Sequence, residues 1–326
     1  MFFSQCLMNL LLNIQNITLA QIDFDDFFYS ISPEREIVVD ETLKKSIANH
    51  GILHPPIVRE TNSGFYSIVA GRKRLLAVHA LHTESTCACL VISHQVPEVD
   101  VFCILLEEIQ LTRQLTIVEK AIFLQKIAAT MAERQIIREF LPSIGLAPNT
   151  FAMKQTLMLL DLEDPILSSI HHGQINETVA RDFILLSAQD RMVLFEIITS
   201  LRLSFSNQKK LLNICRELTS RENTSIAALL GNDEVHGILD HQDANPPQKT
   251  KNLMTWLSGK HMPRSRQAEK EFRRFTNAMQ LPENVSVEHT PFFEDDSMTL
   301  SIIFPNRKFL QHAWGKIRHA IHSNDN

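Results

Sequence analysis

The sequence predicts a chain of three parts: an α+β N-terminal domain, an all-α middle domain and a small α+β C-terminal domain. In the first third, short runs rich in β-branched and aromatic residues alternate with helical runs. Between residues 102 and 218 the apolar residues recur with an almost uninterrupted 3.6-residue period. From residue 260 onward, two alternating runs lie between two helical runs. A content of 44% hydrophobic and 21% charged residues is ordinary for folded protein and excludes a disordered or collagen-like chain.

Charge, cysteine content and apolar runs narrow the class of protein further. The 32 Lys and Arg residues face 37 Asp and Glu residues, so the net charge is −5 and any nucleic-acid binding must come from a local basic patch. The five cysteines are scattered, which predicts buried thiols in a reducing cytoplasm rather than disulfides or a zinc site. No apolar run reaches membrane-helix length, and the apolar first 20 residues lack the basic start of a secretion signal. We therefore expect a cytoplasmic protein without a membrane partner, with residues 1–16 as an N-terminal extension.

The N-terminal domain, predicted over residues 17–105, contains a basic turn between a strand and a helix. Predicted strands cover residues 17–22, 56–59 and 65–69, and predicted helices cover residues 40–49 and 71–81. The basic turn is Gly71-Arg72-Lys73-Arg74, at the start of the second helix. Its backbone N–H groups and cations could face an anion, which favours phosphate binding. A solvated basic turn explains the same charges.

The all-α middle domain, predicted over residues 106–222, begins with paired acids and contains a helix-turn-helix pattern. Glu107 and Glu108 could hold a divalent cation such as Mg²⁺, although a solvated helix terminus explains them equally well. Residues 133–160 have the pattern of a helix, a break over residues 141–148, and a second helix capped by Asn149. Many all-α proteins contain this pattern, so alone it indicates DNA binding only weakly.

A linker with short helices is predicted over residues 223–259, because the stretch contains Gly, Asp, Asn and the pair Pro246-Pro247. The C-terminal domain, residues 260–326, is predicted to contain a basic amphipathic helix over residues 260–279, strands over 285–290 and 298–304, and a helix over 308–321. Two short strands are too few to be stable alone, so we expect a second copy of the chain to complete the sheet.

Taken in chain order, several segments resemble the ParB family of chromosome and plasmid partition proteins, over roughly residues 17–220. The resemblance implies a ParB/sulfiredoxin-like domain that binds CTP with Mg²⁺ and a helix-turn-helix domain that binds a centromere-like site in double-stranded DNA. It also implies a homodimer that nucleotide closes into a clamp around DNA. The segments that carry it are residues 46–58, 66–77, 107–110, 115–121, 160–162 and 173–180.

By position, the resemblance implies functional residues in all three parts of the chain. The implied nucleotide site consists of His54, Pro55, Pro56, Gly71, Arg72, Lys73, Arg74 and Gln110, with Mg²⁺ held through the nucleotide by Glu107 and Glu108. Around the helix-turn-helix, DNA contacts are predicted from Arg134, Arg138, Asn149, Thr150, Lys154 and Gln155. A basic strip of the C-terminal domain, which in the family can touch DNA non-specifically, consists of Lys260, Arg264, Arg266, Lys270, Arg273 and Arg274.

The sequence departs from the family at positions that bear on hydrolysis. Arg72 stands where the family usually has Glu, which removes the acid associated with hydrolysis. Glu108 and Leu111 stand where it usually has Asn and Arg. We therefore expect at most a weak CTP hydrolase, and Arg72→Glu is expected to raise the rate.

Three functions remain open at this point. The leading hypothesis is a nucleoid-associated ParB-like DNA clamp of chromosome or plasmid partition, with a Walker-type ParA ATPase as partner. A sequence-specific transcriptional regulator is favoured instead if Arg72 and Glu108 have abolished CTP binding. An enzyme of the nuclease or sulfiredoxin-like type ranks lowest, because no Cys lies in the phosphate turn, where a sulfiredoxin needs its nucleophile.

Overall fold

The computed structural model describes residues 13–81, 86–290 and 297–322. Most of the predicted N-terminal extension, residues 1–12, lies outside the described residues, as do the side chains of residues 263–267, 269–270 and 319–322. The chain divides into two compact units, residues 1–212 and residues 213–326. In the described part, no helix combines the length and the apolar character that a membrane crossing requires. The domain boundaries given above stay predictions.

Unit 1 begins with a mixed five-stranded sheet. Its strands are β1 (Asn13–Thr18), β2 (Ile22–Asp23), β3 (Ile57–Glu60), β4 (Tyr66–Ala70) and β5 (Thr86–Ile92). They lie in the order β1-β5-β3-β4-β2. β1 and β5 pair antiparallel, as do β3 and β4, whereas β3–β5 and β2–β4 pair parallel. Val58, Ile68 and Val91 are buried in one core cluster against this sheet.

The first strand differs from its prediction over residues 17–22. β1 ends at Thr18, and Leu19–Gln21 form a 3₁₀ turn before β2. The bounds of β1 were not predictable from the sequence, because Ile17 is the only buried residue of this strand and the apolar alternation is therefore weak. β5 was not predicted, because its buried positions include Cys87 and Cys89 in place of typical strand formers.

Two helices accompany the sheet, and both confirm their predictions. α1 (Glu41–His50) begins at Asp40, whose carboxylate accepts a hydrogen bond from the backbone N–H of Thr42, and ends at Gly51. α2 (Arg72–Leu81) follows β4 directly and buries Leu75, among others. The start of α2 is therefore fixed at one edge of the domain core.

The rest of unit 1 is helical, as predicted. Its helices are α3 (Glu98–Gln110), α4 (Ile117–Ile127), α5 (the consecutive stretches Glu133–Gln135, Ile136–Phe140 and Leu141–Ser143), α6 (Thr150–Leu157), α7 (Asp164–His171), α8 (Glu177–Phe183), α9 (Ala188–Ser200) and α10 (Phe205–Glu222), which continues into unit 2. Phe102 of α3, Phe123 of α4 and Phe140 of α5 are buried in a second core cluster. This cluster also contains Tyr29 and Ile57 from the first part of unit 1, so the sheet and α3–α6 share one core.

Helices α5 and α6 form the predicted helix-turn-helix with a shorter break. The break was predicted to begin at residue 141, but α5 continues through Pro142 to Ser143. Gly145 then adopts φ +73°, and the N–H of Leu146 donates to the carbonyl of Leu141 at 2.8 Å, a Schellman-type stop. Asn149 caps α6, as predicted, by accepting from the N–H of Ala152 at 2.8 Å.

Unit 2 contains five helices in its described residues, together with the end of α10, and a two-stranded sheet. Its elements are α11 (Ile226–Leu230), α12 (Asp233–Leu239), α13 (Pro246–His261), α14 (Pro263–Ala278), β6 (Val285–His289), β7 (Met298–Ile302) and α15 (Arg307–His322). Where a linker was predicted, Asn245 and Gln248 form a capping box and start α13, with both prolines in its first turn. Leu253 and Leu257 are fully buried, so residues 246–261 form one packed helix of 16 residues, longer than the short helices predicted in this stretch.

Candidate functional site

The turn at Gly71 has no room for a side chain. Gly71 adopts φ +86°, a left-handed conformation that glycine tolerates at no steric cost. A Cβ at this position would lie 2.8 Å from Cβ of Pro56 and 2.9 Å from Nη2 of Arg74. The predicted residues Pro56, Gly71 and Arg74 are therefore brought together, at the N-terminal end of the ten-residue helix α2. This end carries the positive pole of the helix, where anions bind favourably.

Arg74 links the turn to two other segments of the predicted site. Its guanidinium donates to the carbonyl of His54, and its Nη2 lies 3.3 Å from Oε1 of Glu108 on α3. The two side chains of this ion pair are 22% and 36% exposed. Three segments that are far apart in the sequence, at residues 54, 71–74 and 108, thus converge on one guanidinium.

Arg72 does not face this turn. It is 9% exposed, and its guanidinium donates to the carbonyls of Phe24 and Asp26, the first at 2.6 Å. The guanidinium carbon lies 4.4 Å from the centre of the Phe27 ring. Burial lowers the pKa of Arg72, while nearby aspartates act in the opposite direction. Although it was predicted as a nucleotide contact, Arg72 instead anchors the loop at residues 24–27.

The remaining residues predicted for the nucleotide site are distributed around the turn. The side chains of Lys73 and His54 are exposed, and Pro55 is half-buried. Glu107 is half-buried, and burial raises the pKa of its carboxyl group. Gln110 points elsewhere, because its Nε2 donates to the carbonyl of Ser143 at the end of α5, at 2.8 Å.

The carboxylates of Glu107 and Glu108 are the oxygen donors that Mg²⁺ prefers. Within the described ranges, no group of three or more His, Cys, Asp or Glu side chains is arranged to hold a metal ion. A magnesium ion at these two residues would therefore need phosphate oxygens and water to complete its coordination. The donor set fits an ion that arrives bound to a nucleotide.

The exposed face of α6 contains most of the residues predicted to read DNA. Thr150 and Lys154 are exposed, whereas the side-chain oxygen of Asn149 is occupied as the helix cap. Gln155 is half-buried, and its Oε1 accepts from Nη1 of Arg181 at 3.0 Å, so the oxygen of this amide is occupied within the protein. On α5, Arg134 is exposed and Arg138 pairs with the neighbouring Glu139 at 2.6 Å.

Phe151 was missed by the sequence analysis. It is 69% exposed on the same face of α6, beside Thr150 and one turn before Gln155. A signal was available, because a large apolar residue on the otherwise polar face of a short amphipathic helix is not needed for the core. Aromatic rings can contact the methyl group of thymine in the major groove.

The predicted basic strip does not lie on a single helix. Lys260 belongs to the last turn of α13, where its Nζ lies 4.7 Å from the centre of the Trp256 ring. Arg273 and Arg274 are exposed on α14. The side chains of Arg264, Arg266 and Lys270 lie outside the described ones, although their backbone belongs to α14.

The fold and the site together define a class of protein. It has an α+β domain with a glycine turn at a helix N-terminus, followed by a helical region that contains a helix-turn-helix. Residues 13–104 match the family model of the ParB N-terminal domain. The resemblance to the ParB family predicted from the sequence is therefore confirmed for this part of the chain.

Curated relatives agree with this assignment. The chain is 27% identical over 155 residues to a nucleoid occlusion protein of Listeria monocytogenes, which is 48% of this chain and 52% of that protein. It is 33% identical over 150 residues to a nucleoid occlusion protein of Halalkalibacterium halodurans, covering 46% and 50% of the two chains. A probable chromosome-partitioning protein ParB of Chlamydia muridarum is 29% identical over 206 residues, or 57% and 68%. The chain thus spans about half the length of the nucleoid occlusion proteins that it matches.

Solved structures overlap this chain only loosely. The C-terminally truncated chromosome-partitioning protein ParB from Caulobacter crescentus complexed with CTP-γ-S is 20% identical, covering 57% of this chain and 99% of that one, with a TM-score of 0.24. The same protein complexed to the centromeric parS site is 21% identical, covering 60% and 97%, with a TM-score of 0.33. These TM-scores are too low to support an argument about this chain.

Proposed function

We propose that this protein is a ParB-like DNA-binding protein of chromosome or plasmid partition that binds CTP with Mg²⁺ at the Gly71 turn. The observation that supports it most directly is the convergence of Gly71, Arg74 and the His54 segment at the N-terminus of α2. A left-handed glycine lets a phosphate approach the backbone, and the guanidinium adds a charge-assisted donor. When bound, CTP with its metal supplies the energy of clamp closure; the chain's own residues hold and orient the phosphates.

The nucleotide site is tested by calorimetry on the full chain with CTP and Mg²⁺. Arg74→Ala is expected to weaken CTP binding by about 10- to 150-fold, because a hydrogen bond to a charged group contributes about 1.5–3 kcal/mol. Binding to a short DNA duplex should be unchanged, because Arg74 is on α2 whereas the proposed reading helix is α6. Arg35→Ala, which removes an exposed arginine elsewhere, is the matched control.

Absence of any heat of CTP binding to the wild type, even with Mg²⁺ and DNA present, would contradict this proposal. If that protein still bound DNA with sequence preference, the alternative of a transcriptional regulator with a degenerate nucleotide site would be favoured. The orientation of Arg72, buried away from the turn, agrees with a site in which hydrolysis is weak.

Helix α6 supplies the proposed DNA-reading surface. Its exposed residues Thr150 and Phe151 lie in the first turn of the second helix, the end that enters the major groove in helix-turn-helix proteins, and exposed Lys154 lies one turn later. Gln155, with its oxygen held by Arg181, has an amide NH₂ free to donate to a base acceptor such as guanine O6 or thymine O4. Phe151 is placed to contact a thymine methyl group.

Substitutions on α6 should separate phosphate contacts from base contacts. Lys154→Ala is expected to weaken binding to all duplexes and reduce the slope of log affinity against log salt by about 1. Gln155→Ala should cost about 1–3 kcal/mol on a duplex selected from a random pool and leave random duplexes unaffected. Fluorescence anisotropy titrations at several salt concentrations measure both effects, with Gln95→Ala, an exposed glutamine outside the helix-turn-helix, as control. Unchanged isotherms for both variants would exclude α6 as the reader.

The proposal includes a homodimer that forms through unit 2. Two paired strands of five residues each do not make a stable sheet alone, and β7 and α15 expose large apolar side chains. A second copy covering this face would complete the sheet and hold two reading helices at a fixed spacing. A Walker-type ParA ATPase remains the further partner proposed from the family resemblance, and association with the nucleoid follows from DNA binding.

A further inference from the structure

The ion pair between Arg74 and Glu108 places a negative charge inside the proposed phosphate site. Nη2 of Arg74 lies 3.3 Å from Oε1 of Glu108, and both Nη2 and Nε lie within 3.0 Å of the position that a Cβ on Gly71 would take. The guanidinium is therefore folded over the turn itself. The guanidinium of Arg74, which would bind an anion at Gly71, is therefore already paired with the carboxylate of Glu108.

An incoming phosphate must compete with this carboxylate. If the phosphate takes over the guanidinium, Glu108 is left within a few ångströms of a second negative charge, because α3 and α2 hold both residues in place. A divalent cation reverses the effect, since a carboxylate and a phosphate can both coordinate it. Glu108 therefore opposes a metal-free anion and favours the same anion when it brings a metal.

We propose that Glu108 is a specificity-determining residue that makes the Gly71 site select metal-bound triphosphate over metal-free anions, by competing for Arg74 until a metal draws its carboxylate away. This inference rests on the proposed nucleotide site and adds a discrimination that neither Gly71 nor Arg74 provides. A neutral amide at position 108 keeps the shape of the side chain but can neither neutralise Arg74 nor repel a phosphate.

The test measures the affinity for CTP and for inorganic triphosphate, each with excess Mg²⁺ and each with EDTA, in the full-length wild type and in Glu108→Gln. In the wild type we expect affinity to fall at least about 30-fold in EDTA. In Glu108→Gln the affinity in EDTA should rise about tenfold, so that the ratio between the two conditions falls below about fivefold. Glu108→Asn should behave in the same way and provides a second variant if the first is poorly folded.

A matched control removes the same charge from the same helix. Glu98 lies at the opposite end of α3, ten residues before Glu108, which at about 1.5 Å per residue is roughly 15 Å along the helix. Glu98→Gln should leave both affinities and their ratio at wild-type values. A general effect of net charge would instead move Glu98→Gln and Glu108→Gln together.

The outcomes separate this inference from the proposed function. If the wild type binds CTP with Mg²⁺ but Glu108→Gln has unchanged or weaker affinity in EDTA, the competition between Glu108 and phosphate is refuted while the nucleotide site stands. If neither ligand binds any variant in either condition, the nucleotide site itself is refuted. A rise in the EDTA affinity confined to the Glu108 variants supports the inference.

Discussion

Arg72→Glu is expected to destabilise the N-terminal part of unit 1 rather than to create a CTP hydrolase. The guanidinium of Arg72 is buried and donates to two backbone carbonyls, those of Phe24 and Asp26. A glutamate cannot donate to them, and its charge would lie in the vicinity of Asp23, Asp25 and Asp26. Leaving buried acceptors unpaired and adding an unpaired buried charge costs about 3–5 kcal/mol.

Urea unfolding monitored by circular dichroism measures this loss of stability. A CTP hydrolysis assay on the same variant tests the sequence-based expectation that Arg72→Glu raises the rate. Arg72→Met keeps the apolar stem but loses the donors, so it should cost less, about 1–3 kcal/mol. Lys73→Glu makes the same charge change at the neighbouring exposed position and should unfold at nearly the wild-type urea concentration. A stable Arg72→Glu protein with faster CTP hydrolysis would show that the acid can face the nucleotide after all.

Trp314→Asp is expected to convert the protein from dimer to monomer. Trp314 is 54% exposed on α15, and Leu300 and Met298 on one face of β7 are 58% and 55% exposed. Burying a large apolar side chain contributes about 2–3 kcal/mol. Each substitution occurs twice in a symmetric dimer, so association should weaken by about 4–6 kcal/mol, or at least 1,000-fold.

Analytical ultracentrifugation over a range of concentrations measures this shift. His312→Asp introduces the same charge at an exposed polar position of the same helix and should leave the dimer intact. Leu300→Asp should reproduce the effect of Trp314→Asp if β7 and α15 contribute to one interface. A wild-type protein that is monomeric at all concentrations, or a dimer that survives both substitutions, would refute the proposed interface.

Elements with local signals were predictable from the sequence. α1 was recognised from Asp40 and Gly51, and the start of α2 from the glycine that follows a strand, because caps and left-handed glycines act within a few residues. The helix-turn-helix was recognised from Gly145 and Asn149 for the same reason. The pair Pro246-Pro247 was misleading, since proline is as compatible with the first turn of a helix as with a linker.

The direction of the site side chains was not predictable, because it depends on distant partners. Arg72 and Arg74 are two residues apart in a run of three cations, yet one is buried against the carbonyl of Phe24 and the other pairs with Glu108. Nothing in the local sequence distinguishes them. Their partners lie 48 and 34 residues away, so only the packing of the loop at residues 24–27 and of α3 against α2 decides which cation faces the turn.

The last turn of α3 contacts both the proposed anion site and the helix-turn-helix. Glu108 contacts Arg74, and two residues later Gln110 donates to the carbonyl of Ser143, where α5 ends. Helices resist bending over one turn, so a ligand that displaces Glu108 by an ångström would shift Gln110 by a similar amount. A displacement at the proposed phosphate turn would then reach the end of α5 and the turn in front of α6, because the final turn of α3 contacts both.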